Sequence, residues 1–293
     1  MNRWLWQGVA AYAIWGTFPL YWSLLRGVPT AQVMGHRIVW SCLVLAALVA
    51  ATHRTATIRS VARRTLGIYA IAAVLIGVNW TIYVWAVTSG FVVETSLGYF
   101  ITPLVNVVLG VAVLRERLRA VQWAAVAIAA AGVLHLARTS GAPPWIALGL
   151  AASFGTYGLI KKRAPLPPVE GLFIETAVLT GPALLYLLFA QRGGEGVFLA
   201  DPSTDALLVG TGVLTVIPLI LFASAVRHVS LSAMGILQFF SPTMQFLFGV
   251  FFFREPFSKA QLLGFVLVWA AVALFTADGL RRRQAPVLDE GVA

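Results

Sequence analysis

The chain alternates long apolar blocks with short clusters of charged and turn-forming residues. The blocks run near 4–25, 30–51, 67–87, 94–114 and 120–137, then near 143–160, 169–190, 205–226, 231–253 and 258–277. At about 1.5 Å per residue, a helix of roughly 20 residues crosses a hydrocarbon core of about 30 Å. Barrel strands would alternate apolar and polar residues, which stretches such as Ala124 to Leu136 and Gly264 to Phe275 do not. The pattern predicts an all-α membrane protein of ten transmembrane helices, with no room for a soluble domain. Arg3 and the apolar run after it resemble a signal peptide. The run passes Leu20 without a small-residue cleavage site, however, so the first helix is expected to be retained.

Composition supports lipid as the solvent. Apolar residues make up 59% of the chain and charged residues 11%, against roughly 45–50% and 25% in an ordinary soluble domain. The net charge of +10 does not indicate nucleic acid, because the basic residues cluster at block edges, where cytoplasmic loops collect them. Counted on alternate sides of ten helices, fifteen Lys and Arg share the face of Arg3, Arg54, Arg115, Lys161, Arg227 and Arg281, and five lie on the other. Both termini are therefore expected in the cytoplasm, at a bacterial-type inner membrane. Residues 278–293 are expected to form a basic, disordered cytoplasmic tail. The single cysteine, Cys42, excludes an intrachain disulfide and gives no metal-ligand set, and no cofactor is expected.

Sliding the chain along itself by 139 residues lays Phe100, Pro103, Gly110, Arg115 and Glu116 on Phe239, Pro242, Gly249, Arg254 and Glu255. This internal repeat divides the chain into residues 4–137 and 143–277. Each half holds five helices, an odd number, so the halves insert with opposite orientation, as in the inverted repeats of secondary transporters.

The halves carry AYAIWG (11–16), HRIVWS (36–41), IGVNW (76–80), TSLGYFITPLVN (95–106), IET (174–176) and QFFSP (238–242). In these stretches the chain resembles the RarD proteins of the EamA branch of the drug/metabolite transporter superfamily. The resemblance covers nearly the whole length. It implies ten helices in two EamA repeats, cytoplasmic termini, and export or exchange of a small metabolite or drug-like solute, and it says little about which solute.

An ionisable side chain at mid-membrane costs about 2.5–3.5 kcal/mol on insertion scales, so the few inside the blocks stand out. Arg37 lies roughly 10 Å below the outer end of its block, and Glu94, at the outer start of the fourth, is a candidate partner. Either the two fix helix packing, with Glu94 capping its helix, or Arg37 serves the solute. Glu175 is the carboxylate placed well inside a block, and the repeat lays it on His36, a second titratable group. Glu175 either couples transport to protons or is a hydrogen-bonded packing residue. His36 by itself reads as structural.

Pro103 and Pro242 each remove a helical amide donor and free the carbonyl four residues back, those of Tyr99 and Gln238. Freed carbonyls at membrane depth are tolerated beside protein or a wet cavity. Tyr99, Thr102 and Asn106 share a helical face with Gly110, and Gln238, Ser241, Gln245 and Gly249 repeat the spacing. Two polar stripes facing each other near the midplane, with Asn79 and Trp80 as a further wall, form the predicted solute pathway. The alternative is that Asn106 and Gln245 only hydrogen-bond neighbouring helices. Trp4, Trp6, Trp22, Trp145 and Tyr186, near block ends, read as interfacial anchors.

These features favour a secondary active transporter whose partners are a small solute, the lipid bilayer and, as coupling ion, protons. No P-loop is present for direct ATP use, and the lack of GxSxG, HExxH and Asp-rich clusters argues against an embedded enzyme. A flippase for a lipid-linked substrate, or a passive channel, is the alternative.

Overall fold

The computed structural model describes residues 3–88, 92–140, 144–252 and 259–284; a few side chains within these stretches, that of Glu94 among them, lie outside the described set. Within the described residues each apolar block is helical over most of its length. Helices α1 (Arg3–Ser23) and α2 (Thr30–Ala51) precede a short helix α3 (Thr55–Arg59). Then come α4 (Arg63–Thr88), α5 (Val92–Ala112), α6 (Ala120–Ser140), α7 (Pro144–Arg163), α8 (Pro168–Arg192) and α9 (Pro202–His228). The ninth block is broken into α10 (Leu231–Gln238), α11 (Phe240–Leu247) and a π-helical turn (Phe248–Phe252), followed by α12 (Lys259–Gln284). Helix starts are specified locally. Pro202 opens α9, where it costs no intrahelical hydrogen bond, and the Asp201 carboxylate caps it by accepting from the Thr204 amide at 2.8 Å.

Among the described residues, α2, α8, α9 and stretches 63–83 and 120–138 are long and apolar enough to cross a bilayer, with shorter apolar stretches at Gly98–Ala112 and Leu262–Asp278. The outward faces are apolar as well: Ile71, Val108, Leu148, Leu185 and Phe189 are all more than half exposed. Such a surface is stable only against hydrocarbon, which makes this an all-α membrane protein. Helices α1 and α7 are less apolar for identifiable reasons. Much of α1 is Trp, Tyr and Gly, and α7 ends in Lys161, Lys162 and Arg163.

The helices pair in a regular scheme. The extensive pairings α2 with α8, α5 with α10 and α6 with α12 each join a helix to the one five blocks later. The pair α5 with α7 is answered by α1 with α11, α4 with α7 by α1 with α9, and α4 with α8 by α2 with α9. Exchanging each helix for its counterpart in the other half maps these pairs onto themselves. At the α5–α10 crossing, a Cβ on Gly235 would lie 2.7 Å from the Pro103 carbonyl oxygen, so only glycine permits this approach.

Two helix ends depart from the sequence reading. Helix α7 continues through Lys161, which was expected in a solvated loop and is instead buried. Helix α12 continues to Gln284, so residues 278–284, expected to be disordered, are helical. An ion pair between Asp278 and Arg119 ties this helix to the residue before α6.

Candidate functional site

A cavity of about 90 Å³ opens between α1, α2, α4, α5, α7, α9 and the α10–α11 break. At roughly 10–15 Å³ per water it has room for several. Among the described residues its one charged wall residue is Arg37, on α2 and only 7% exposed. The Arg37 Nε donates to Thr215 Oγ1 on α9 at 2.7 Å. The guanidinium carbon lies 4.2 Å from the centre of the Trp80 ring and within 6 Å of those of Trp22 and Phe18. Cation–π contacts of about 0.5–2 kcal/mol offset part of the insertion cost of about 2.5–3.5 kcal/mol. Among the described residues the ion pairs are Arg54–Glu170, Arg119–Asp278 and Lys161–Glu175, so no described carboxylate neutralises Arg37. Glu94, its expected partner, has its side chain outside the described residues.

Of the two predicted polar stripes, Tyr99, Gln238, Ser241 and Gln245 line the cavity, together with Asn79, Trp80 and Pro242. The wall amides are partly engaged. Asn79 Nδ2 donates to Leu150 O and Ser153 Oγ, each at 3.0 Å, and Gln245 Nε2 donates to Trp15 O at 3.2 Å. Asn106 stands behind the wall and donates to Gln238 Oε1 at 3.0 Å, which joins the two stripes directly. Its own Oδ1 is buried without a protein partner. Thr102 does not reach the cavity: it is fully buried and donates to Gly98 O at 2.8 Å, within its own helix.

The two prolines act unequally. Helix α5 runs through Pro103, whereas the chain before Pro242 tightens at Phe239, whose amide turns to Ile236 O at 3.3 Å, and two short helices result. The close seat of Gly235 on Pro103 splints α5 against the kink. Helix α10 is held at its own start, where Glu116 accepts from the Leu231 and Ser232 amides at 2.7 and 3.0 Å and from Ser232 Oγ at 2.7 Å.

Toward the end of the bundle that carries the N-terminus, the cavity ends on an aromatic floor. Tyr12 and Phe154 meet Phe222 at ring separations of 6.2 and 5.5 Å, and Tyr157 stacks on Phe222 at 6.3 Å. Below it lies Glu175, which accepts from Tyr157 Oη at 3.0 Å and from Lys161 Nζ at 2.8 Å, both charged side chains being 3% exposed. Glu175 is therefore one half of a buried ion pair rather than a solitary carboxylate. His36, its counterpart in the repeat, has other company and packs on the Phe198 ring at 4.8 Å.

Sequence reasoning missed the aromatic wall of α1. Tyr12, Trp15, Phe18 and Trp22 all line the cavity, and their spacings of three and four put them on one helical face. Trp22, read as an interfacial anchor, faces Arg37 instead; Trp6 and Trp145, about half exposed, are consistent with anchoring. Among the described residues no group of three or more His, Cys, Asp or Glu is placed to hold a metal ion.

Helices sheathed in apolar side chains around a small aromatic and polar cavity define a membrane protein with an internal cavity. Comparison with known proteins supplies the family. The EamA-like transporter family matches the chain twice, over residues 2–138 and 143–277. A protein called RarD from Streptomyces exfoliatus is 47% identical over 277 residues, covering 94% of this chain and 88% of its own. YojE, an uncharacterized transporter of Bacillus subtilis (strain 168), is 42% identical and covered to 94% on both sides. RarD of Escherichia coli (strain K12) is 38% identical over 94% of this chain and 95% of its own. A solved crystal structure shares the fold, with a TM-score of 0.70 at 21% identity over 95% of this chain and 99% of that one. The chain belongs to the EamA-like transporter family as a RarD-type drug/metabolite transporter protein, and it is a transporter rather than an enzyme.

Proposed function

We propose that this transporter is a secondary active carrier that exports or exchanges a small solute across the cytoplasmic membrane by alternating access, with the central cavity as its solute site. The observation that carries this proposal is the origin of the wall: Arg37, Asn79, Trp80 and Tyr99 come from one half of the chain, and Gln238, Ser241 and Gln245 from the other. A site shared in this way opens to alternate sides when one half rocks against the other. Asn106 and Thr102 hold the wall from behind.

Ten crossings arranged as two inverted repeats, 4–137 and 143–277, are supported by the helix pairs that exchange onto themselves. The charge bias supports cytoplasmic termini. In that orientation the aromatic floor and the Lys161–Glu175 pair form the cytoplasmic seal. Protons are the proposed coupling ion, because a proton on Glu175 removes the charge that holds Lys161 and loosens that seal. His36 is a packing residue in this scheme.

Counterflow in proteoliposomes against a mixed metabolite library, with and without a pH gradient, tests transport and coupling together. Tyr99→Cys, Gln238→Cys and Gln245→Cys in a Cys42→Ser background are expected to react with a water-soluble thiol reagent, and Asn106→Cys to resist. If all four resist in every state while lipid-soluble reagents reach them, the cavity is not the pathway.

A further inference from the structure

We infer that the solute is a small organic carboxylate without a cationic centre, its oxyanion set on Arg37 and its flat apolar body against the rings of α1 and α4. This deepens, and rests on, the proposal that the cavity is the solute site. Among the described residues Arg37 is the only charged one in the wall, and no described side chain pairs its charge. Among the described residues its guanidinium makes one hydrogen bond, from Nε to Thr215, and no ion pair. That bond, with the guanidinium carbon 4.2 Å from the Trp80 ring centre, holds the group in place and leaves the two terminal nitrogens as a fork suited to a carboxylate. With no countercharge among the described residues, Arg37 is a buried cation that an anionic solute would neutralise each time it binds. Of the neutral polar wall groups, the amide nitrogens of Asn79 and Gln245 are already engaged by the protein.

The remaining wall sets the rest of the class. Tyr12, Trp15, Trp22 and Phe154 offer flat faces to an apolar body. An ammonium group would meet Arg37 with no described carboxylate in the wall to balance it, so amines and zwitterions are disfavoured. Glu175 does not serve this purpose, because Tyr157 and Phe222 separate it from the cavity and Lys161 already neutralises it.

The test uses the full chain in nanodiscs, with Gln245→Cys in a Cys42→Ser background, and reads the rate of labelling by a water-soluble thiol reagent. Benzoate, benzylamine and phenylglycine share a ring and differ in charge. Benzoate is expected to slow labelling about tenfold or more at concentrations where the other two have little effect. Arg37→Gln should abolish this protection while the cysteine stays reactive, and Arg37→Lys should retain part of it. Protection by benzylamine or phenylglycine equal to that by benzoate overturns the inference, as does protection by benzoate that survives Arg37→Gln. If Arg37→Gln does not fold, the three-probe comparison on the Arg37 protein still decides. Labelling that no probe slows refutes the carboxylate and leaves the solute site standing. A cysteine at 245 that is never labelled, together with unlabelled cysteines at 99, 106 and 238 that lipid-soluble reagents reach, removes the solute site itself, and the carboxylate with it.

Discussion

Removing the Glu175 charge should destabilise this protein far more than removing the charges of Glu175 and Lys161 together. The two side chains are 3% exposed and 2.8 Å apart, so solvent screening is slight, and at an effective dielectric constant near 20 their attraction is about 6 kcal/mol. Most of that attraction repays the desolvation of two ions, which is why a buried pair is worth little against a neutral replacement. Breaking one side is different, since it strands an unpaired charge at a cost of about 3–5 kcal/mol. Glu175→Gln keeps an oxygen for Tyr157 and leaves Lys161 stranded; Lys161→Met strands Glu175 in the same way. The double variant Lys161→Met/Glu175→Gln restores neutrality with little change in volume and should lie within about 1 kcal/mol of the parent. Melting in detergent or nanodiscs would show each single variant lower by roughly 6–15 °C and the double near the parent. Single variants that melt with the parent, or a double at the sum of the singles, would refute a buried, mutually dependent pair.

Gly235→Ala puts a methyl 2.7 Å from the Pro103 carbonyl oxygen and should cost about 1–3 kcal/mol by parting α5 from α10, whereas Gly181→Ala, which meets nothing within 4 Å, should be harmless in the same melting assay. Gln32, 2% exposed, donates to Glu195 O at 2.6 Å and accepts from the Val197 amide at 3.0 Å; Gln32→Leu should lose about 1–3 kcal/mol by leaving those backbone groups unpaired and should speed proteolysis between α8 and α9. The Asp201 carboxylate, which accepts from the hydroxyls of Ser203 and Thr204 and from the Thr204 amide, is held at about 2, below its usual 3.8. Its folded value is depressed, so its contribution is complete above about pH 4 and is lost as pH falls toward 2. Infrared titration against Asp201→Asn should show its carboxylate band persisting below pH 3, and a band lost at pH 4 would contradict the cap.

What the sequence made legible was local. The apolar blocks, the proline pair and the stripe of Tyr99, Asn106, Gln238 and Gln245 are periodicities along one helix, and they survive any rearrangement of neighbours. Arg37 with Thr215 and Lys161 with Glu175 depend on which helices meet, and no spacing encodes that. Trp22 shows the difference: a tryptophan at a block end suits a membrane interface or a cavity wall equally well, and only the rotation of α1 decides. Thr102 matched the stripe in position, but a threonine hydroxyl can satisfy itself on the carbonyl four residues back, so its polarity never reached the cavity. The length of α7 was hidden by its basic residues, since Lys161 reads as loop until a carboxylate is found beside it.

The broken ninth helix gives the two halves different mechanics. Helix α10 is pinned at its start by Glu116 and along its side by Pro103, while α11, which brings Ser241 and Gln245 to the cavity, begins after the interruption at Phe239. A rod clamped at one end and jointed in the middle is a lever. Its outer arm, α11, is tied in turn to α1, through Gln245 Nε2 on Trp15 O, and to α12, through Trp269 Nε1 on Thr243 Oγ1. Its counterpart α5 has no such joint and acts as the post against which the arm works. If solute binding at Gln245 turns that arm about the joint at Phe239, amide exchange should be faster across 240–247 than across 231–238.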